Sequence, residues 1–347
     1  ENLSDAMIFM RWLPLLLLLP KLRSATPSAA GWVYVADPGT ESGHVASWED
    51  IAFEAMDIMV VGPVGLQSCN PTPQMPEAFP WRPRFRCQEP WNRHGFGVSA
   101  SFLPRFEALL AAARARNPAL KVMAAQWYTS DLMAAYESWG GSLEALGSDE
   151  EQLNGYTKDV NAFLEKYNMT AYILDYEGTN VVHWYSRLLV KLAEAFRDPL
   201  TGERVRQIGI SPSTVKYLQG TNSLTDYVFA QTYTQGAKLE DFLAIFDPAK
   251  VFIGLCPEGC ADLSSWDARA EVERRSLGGI HVWRVNSDEP GRMAKENVVM
   301  QEVSDLLKHP RNVSHANRSR SADEDSHRAR HDGGFFNLRQ SLTRSKT

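Results

Sequence analysis

Along the middle of the chain, short apolar and β-branched runs alternate with longer stretches whose apolar positions return every three to four residues. The short runs are 32–36, 57–62, 120–126, 171–175, 207–211, 227–233, 251–255 and 279–285. Each has strand length and is apolar at odd and even positions alike, the signature of a parallel strand covered on both faces. Amphipathic patterns lie between them, most clearly over 102–117, 149–167, 181–197, 239–246, 266–277 and 293–308. Eight strand-plus-helix units in about 280 residues predict one closed (β/α)₈ barrel rather than an open doubly wound sheet. No glycine-rich phosphate loop interrupts the pattern, which counts against a nucleotide-binding fold.

Three segments depart from the repeat. Residues 13–19 form a Leu-rich run behind Arg11, broken by Pro14 and closed by Pro20. The run is shorter than the roughly 20 residues a bilayer span needs, and small residues follow at Ser28, Ala29 and Ala30. It reads as a secretory signal cleaved near Ala30, with the residues before Met7 an extension and Met7 or Met10 the start. Residues 63–100 form a long loop rich in Pro, Arg and Trp after the second strand, read either as a wall of the site or as a surface decoration. Residues 310–347 are rich in Arg, Ser and His without apolar periodicity, and are expected to be a disordered basic tail. The barrel domain is therefore assigned to 31–309.

A secreted chain changes how its four cysteines are read. Cys69 and Cys87 sit in the Pro-rich loop, and Cys256 and Cys260 flank the turn Pro257-Glu258-Gly259. Two local disulfides, Cys69–Cys87 and Cys256–Cys260, are expected; zinc is the weaker alternative because no His cluster lies nearby. Sequons stand at Asn168, Asn312 and Asn317. The net charge of −6 argues against a general nucleic-acid binder. Ten Trp residues supply platforms on which sugar rings could stack as well as core.

In a barrel of this kind the reacting groups stand at the C-terminal strand ends. The fourth run ends Ile173-Leu174-Asp175-Tyr176-Glu177, and residues two apart share a face, so Asp175 and Glu177 project together. Two carboxylates this close favour a proton on one of them, as general acid catalysis requires. The sixth run ends with Gln231 and Tyr233 on one face, and the eighth carries Trp283. Tyr34 on the first strand, Gln126 at the end of the third and Trp127 next to it are further candidates for substrate binding. Together these side chains describe a saccharide pocket.

The strand end Tyr172-Ile173-Leu174-Asp175-Tyr176-Glu177 resembles the glycoside hydrolase family 18 signature Asp-x-x-Asp-x-Asp-x-Glu. The Gln231-Thr232-Tyr233 segment and Trp283 match the Gln-x-Tyr pair and Trp of plant-type chitinases in that family. The resemblance spans roughly 31–308. It implies that Glu177 is the acid, that Asp175 orients the substrate's 2-acetamido group, and that the acetamido oxygen is the nucleophile. It further implies that Tyr233 binds the acetamido carbonyl with help from Gln231, and that Trp283 supports the N-acetylglucosamine ring. No metal or organic cofactor is implied; the partner is an N-acetylglucosamine-containing glycan, with no nucleic acid, no membrane span and a monomeric state expected.

Two departures stand out. Thr170 and Ile173 occupy places where the family usually carries acids, and an apolar Ile173 beneath Asp175 is expected to raise that carboxyl's pKa. The third strand reads Met123-Ala124-Ala125-Gln126 instead of Ser-x-Gly-Gly. A chitinase-like or endo-β-N-acetylglucosaminidase-like enzyme is the first reading. A non-catalytic chitinase-like lectin and a family-25-lysozyme-like muramidase are the alternatives.

Overall fold

The computed structural model describes residues 26–35, 50–62, 64–66, 96–98, 103–126, 150–176, 185–216, 218–234, 237–257, 263–286 and 292–309. Eight strands close into a parallel barrel. In chain order they are β1 (Ser28–Tyr34), β2 (Ile58–Gly62), β5 (Lys121–Gln126), β6 (Ala171–Tyr176), β7 (Gln207–Pro212), β8 (Tyr227–Ala230), β9 (Val251–Leu255) and β10 (Gly279–Val282). Each pairs with the next, and β10 closes on β1. The (β/α)₈ expectation is met. A separate antiparallel ribbon joins β3 (Gly65–Leu66) to β4 (Phe96–Gly97). The described helices are α1 (Leu103–Arg116), α2 (Glu150–Lys166), α3 (Tyr185–Ala195), α4 (Leu239–Leu243), α5 (Ser265–Arg275) and α6 (Arg292–Lys308). Among the described residues no helix is long and apolar enough to cross a membrane.

The two apolar faces of each strand serve two different cores. Ala30, Trp32, Ile58, Val60, Met123, Ala125, Ala171, Ile173, Tyr227, Phe229 and Phe252 point inward and fill the barrel. The residues between them, such as Val33, Val61, Val122, Tyr172 and Val228, pack outward against the helices. This period of two is what a barrel strand demands. The inner filling is aromatic: Trp32 stands edge-on to Phe229 at 5.7 Å, and Phe229 meets Phe252 at 5.0 Å between centroids. Each such pair contributes about 0.5–1.5 kcal/mol beyond its buried area. They form a dry floor below the C-terminal mouth.

The opposite end is pinned by acids placed one residue ahead of a strand. Asp57 accepts the Ala29 N–H at 2.9 Å, and Asp226 accepts the Ile208 N–H at 2.9 Å while pairing with Arg204. Each carboxylate satisfies a backbone donor at the start of the neighbouring strand. On the outside, the Tyr156 hydroxyl of α2 lies 2.8 Å from that of Tyr172, with both rings fully buried. Burial pushes both phenols up, so the pair is neutral and fixes α2 against the back of β6.

Several element boundaries differ from those expected. Ser28–Ala30 belong to β1: they pair with β10, and Ala29 and Ala30 are fully buried. The barrel therefore includes Ser28, Ala29 and Ala30, three residues before the start at 31 expected from the sequence. Strands β8 and β10 stop at Ala230 and Val282, short of 233 and 285: the Thr232 side chain takes over the pairing of β8, and the left-handed Arg284 turns the chain after β10. Helix α4 ends at Leu243, before the Asp247-Pro248 turn, and proline disfavours helix at the residue before it.

The long 63–100 loop is anchored at both ends. The Val64 N–H donates to the Ala125 carbonyl at 2.7 Å, and the β3–β4 ribbon brings residue 65 beside residue 97. Phe96 is fully buried, edge-on to Tyr156, Phe163 and Tyr172 at 5.5–5.8 Å. The rest of that loop, with Cys69 and Cys87, lies outside the described residues. So do the leader, the 310–347 tail with Asn312 and Asn317, Cys260, Trp127 and Glu177. Cys256 is buried and is not a free thiol.

Candidate active site

Asp175 occupies the penultimate position of β6, inward like Ala171 and Ile173 beneath it and in register with Ser211 of β7. It is 3% exposed. Gln231 follows β8 directly and is also buried; its N–H donates to the Pro212 carbonyl at 3.1 Å, extending the β7–β8 pairing by one residue. Its side-chain Nε2 lies 2.8 Å from Asp175 Oδ1, 3.1 Å from the Ser211 carbonyl and 3.2 Å from Ser211 Oγ. A carbonyl only accepts, so the amide nitrogen must face this side. Asp175 Oδ1 is therefore an acceptor, and a proton on Asp175 belongs on Oδ2. Strands β6, β7 and β8 are thus joined at the mouth by one amide.

Beyond Gln231 the chain leaves the sheet in a turn held by its own side chains. The Thr232 N–H donates to the Ala230 carbonyl at 2.8 Å. Thr232 Oγ1 accepts the Gly254 N–H at 3.0 Å and lies 3.1 Å from the Gly254 carbonyl, replacing the ladder that β8 no longer offers β9. Thr234 returns to the Gln231 carbonyl through its N–H at 3.0 Å and its hydroxyl at 2.7 Å. Tyr233 is held between these contacts, half-buried, with its ring edge-on to His281 at 6.0 Å.

The other wall comes from β10 and β1. Trp283 follows β10, its N–H bonded to the Leu255 carbonyl at 2.8 Å, and its indole meets Trp32 at 5.4 Å between centroids. Arg284 then takes φ +52°, an uncommon left-handed conformation for a residue with a Cβ, and turns the chain so that the Val285 N–H reaches the Trp32 carbonyl. Buried Asn286 binds both backbone groups of Tyr34, accepting its N–H at 2.7 Å and donating to its carbonyl at 2.8 Å. A side-chain amide here stands in for a strand partner. Tyr34 and Trp283 are partly exposed and pack on the inner cluster from the mouth side.

Of the expected site residues, the structure connects Asp175 to Gln231 directly. It connects Tyr233, Trp283 and Tyr34 to the same mouth through His281, Trp32 and Asn286. Gln126 does not join them. In the alternation of β5 it falls with Val122 and Ala124, which face the helices, and not with Met123 and Ala125, which face the barrel. Gln231 also differs in role: its amide protons go to Asp175 and Ser211, so it holds the carboxylate. Ile173 is fully buried under Asp175, opposite Gly209, where a Cβ would come within 2.4 Å of the Ile173 Cδ1. The place of the family's additional acid is filled by a packed aliphatic chain. Ser211, Thr232, His281 and Asn286 went unassigned in the sequence, although Ser211 and His281 fall on the inward alternation of their strands. Among the described residues no group of three or more His, Cys, Asp or Glu is placed to hold a metal ion.

No protein-family profile matches this sequence, and no curated protein does. Solved structures do match in fold. A glycoside hydrolase family 18 chitinase from Cycas revoluta, in complex with (GlcNAc)3, superposes with a TM-score of 0.55 at 12% identity, covering 81% of this chain and 99% of that one. The chitinase-like agglutinin of Robinia pseudoacacia gives 0.53 at 12%, over 79% and 99%. A fungal endo-β-N-acetylglucosaminidase of family 18 gives 0.51 at 17%, over 81% and 98%. The fold is that of these family 18 barrels, at 12–17% sequence identity.

Proposed function

We propose that this chain is a secreted glycosidase of the family 18 type, acting on β-linked N-acetylglucosamine-containing glycans by substrate-assisted retention. The observation that carries it is the 2.8 Å contact from Gln231 to Asp175, at the mouth that also presents Tyr233 and Trp283. A carboxylate held from one side on a dry floor suits an acetamido N–H, and a half-buried phenol two residues from Gln231 suits its carbonyl. Trp283, leaning on Trp32, offers an apolar face to the ring.

In this reading Glu177 protonates the glycosidic oxygen as the acetamido oxygen attacks C1. The C1–O bond breaks and an oxazolinium ion forms beside Asp175. Glu177 then takes a proton from water, which adds to C1 and reopens the ring with the β configuration retained. Secretion is supported by the Leu-rich leader ahead of Ser28, and glycosylation of Asn168 by its exposed position at the end of α2. The Cys256–Cys260 and Cys69–Cys87 pairings belong to the same proposal.

One observation favours a second reading, a non-catalytic chitinase-like binder. Ile173, packed opposite Gly209, leaves no inward acid below Asp175 to share its proton. A screen of N-acetylglucosamine oligomers and N-glycans with wild type and Glu177→Gln separates the two. Hydrolysis by wild type and none by the variant, with binding retained, is expected. Binding without product from either protein would establish the lectin reading, and neither binding nor product would end both.

A further inference from the structure

His281 is fully buried in β10, at the inward position two residues before Trp283. Its Nε2 lies 3.0 Å from the Ala230 carbonyl. Ala230 belongs to β8, whereas β10 lies between β1 and β9. The imidazole therefore skips a strand, and it does so over Gly254. A Cβ on Gly254 would lie 2.7 Å from His281 Nε2, from the Ala230 oxygen and from Tyr233 Cε1. Only a residue without a side chain leaves this crossing open.

The chemistry of the contact is determined by the acceptor. A carbonyl oxygen cannot donate, so Nε2 carries the proton and Nδ1, buried and without a hydrogen-bond partner among the described residues, carries none. Burial agrees with this, pushing the imidazole down to about 4 so that the ring is neutral. The same Ala230 oxygen receives the Thr232 N–H, the hydrogen bond that starts the turn out of β8. Gln231 and Tyr233 lie on that turn, and the Tyr233 ring rests against the His281 ring.

We infer that His281 is a positioning residue for the mouth: its Nε2–H, reaching across Gly254 to the Ala230 carbonyl, fixes the turn that aims Gln231 at Asp175 and Tyr233 at a bound sugar. The inference rests on the saccharide reading for its consequence and on the turn geometry for its cause.

The test uses the full chain with His281→Leu, which keeps bulk without a donor, and His281→Gln, which restores a neutral N–H of similar reach. In unliganded protein, hydrogen exchange at the Thr232 amide should rise about tenfold in the Leu variant and return toward wild type in the Gln variant, with the β2 amides unchanged. Dissociation constants for the N-acetylglucosamine tetramer should follow the same order, about tenfold weaker for Leu and within about threefold for Gln. Nitrogen-15 spectra of wild type at pH 7 should show a neutral ring protonated at Nε2. A Leu variant that exchanges and binds like wild type would overturn the inference. So would a ring protonated at Nδ1, even if the Leu variant failed to fold. Tetramer that binds none of the proteins would sink the saccharide reading alone, because the exchange measurement would still decide the role of His281.

Discussion

The amide of Gln231 donates to Asp175 Oδ1 at 2.8 Å across the end of β7, tying the strand that carries Asp175 to the strand that leads to Tyr233. Three acceptors converge on one NH₂ group, and all are buried. Replacing it by Gln231→Leu leaves a carboxylate and a carbonyl short of a donor in a dry site. An unmet buried polar group costs about 1–3 kcal/mol, more for a charged one. Urea denaturation should register a loss of that size, and hydrolysis or binding of N-acetylglucosamine oligomers should fall with it. Unchanged binding would remove Gln231 from the site.

His281 makes stability depend on pH with a defined sign. Its folded-state pKa, held down to about 4 by burial, lies below the ordinary 6.5. Between these values the unfolded chain binds the proton and the folded chain does not. The contribution is therefore complete above about pH 6.5 and is lost as pH falls toward 4, amounting to about 3 kcal/mol. Carboxylates titrate over part of the same range, so the difference between wild type and His281→Gln isolates the term. That difference should change between pH 7 and 4 by this amount, and a flat difference would contradict it.

Gly254→Ala places a methyl group 2.7 Å from a backbone oxygen and from the Tyr233 ring. The backbone oxygen cannot yield as a flexible side chain would, so the ring and the turn must move. Overpacking of this kind costs about 1–3 kcal/mol. Calorimetry should show a lower melting temperature, with oligomer binding weakened more than for a core variant of equal instability. An alanine tolerated without either effect would mean that the crossing is loose.

Asp57→Ala supplies the contrast. It removes the acceptor of the Ala29 N–H at the closed end, away from the mouth. Stability should fall by about 1–3 kcal/mol, while oligomer binding per folded molecule stays as in wild type. A specific loss of binding would show that the two barrel ends are coupled.

The barrel was legible because its strands are apolar on both faces and its helices on one, so each run announced its element without help from distant residues. The inward position of Asp175 was legible for a related reason, since alternation fixes which strand residues face inward, whereas Gln231, Tyr233 and Trp283 lie just past the ends of β8 and β10, where the turns set their direction. Gln126 fell on the other side of the same rule. The ends of β8 and β1 were hidden, because the Thr232 and Asn286 side chains replace backbone pairing there, and nothing in local composition distinguishes such a Thr or Asn from one in a loop. The skip from His281 to Ala230 is a contact between residues 51 positions apart that depends on a single glycine in a third strand. Ser28-Ala29-Ala30 has the small residues of a cleavage site and also the small residues that let β1 pack, so composition alone does not mark the start of the barrel.

The ribbon that joins residues 65 and 97 gives the long insertion a narrow base. Paired strands stand about 5 Å apart, and Phe96 clamps that base into the layer behind β6. A peptide of almost any length can bridge so short a gap, since doubling a loop costs only about 0.6 kcal/mol. The two ends of the insertion are thus set by the ribbon and by Phe96 and not by its length, and shortened versions that keep residues 64–66 and 96–98 should leave the cylinder standing.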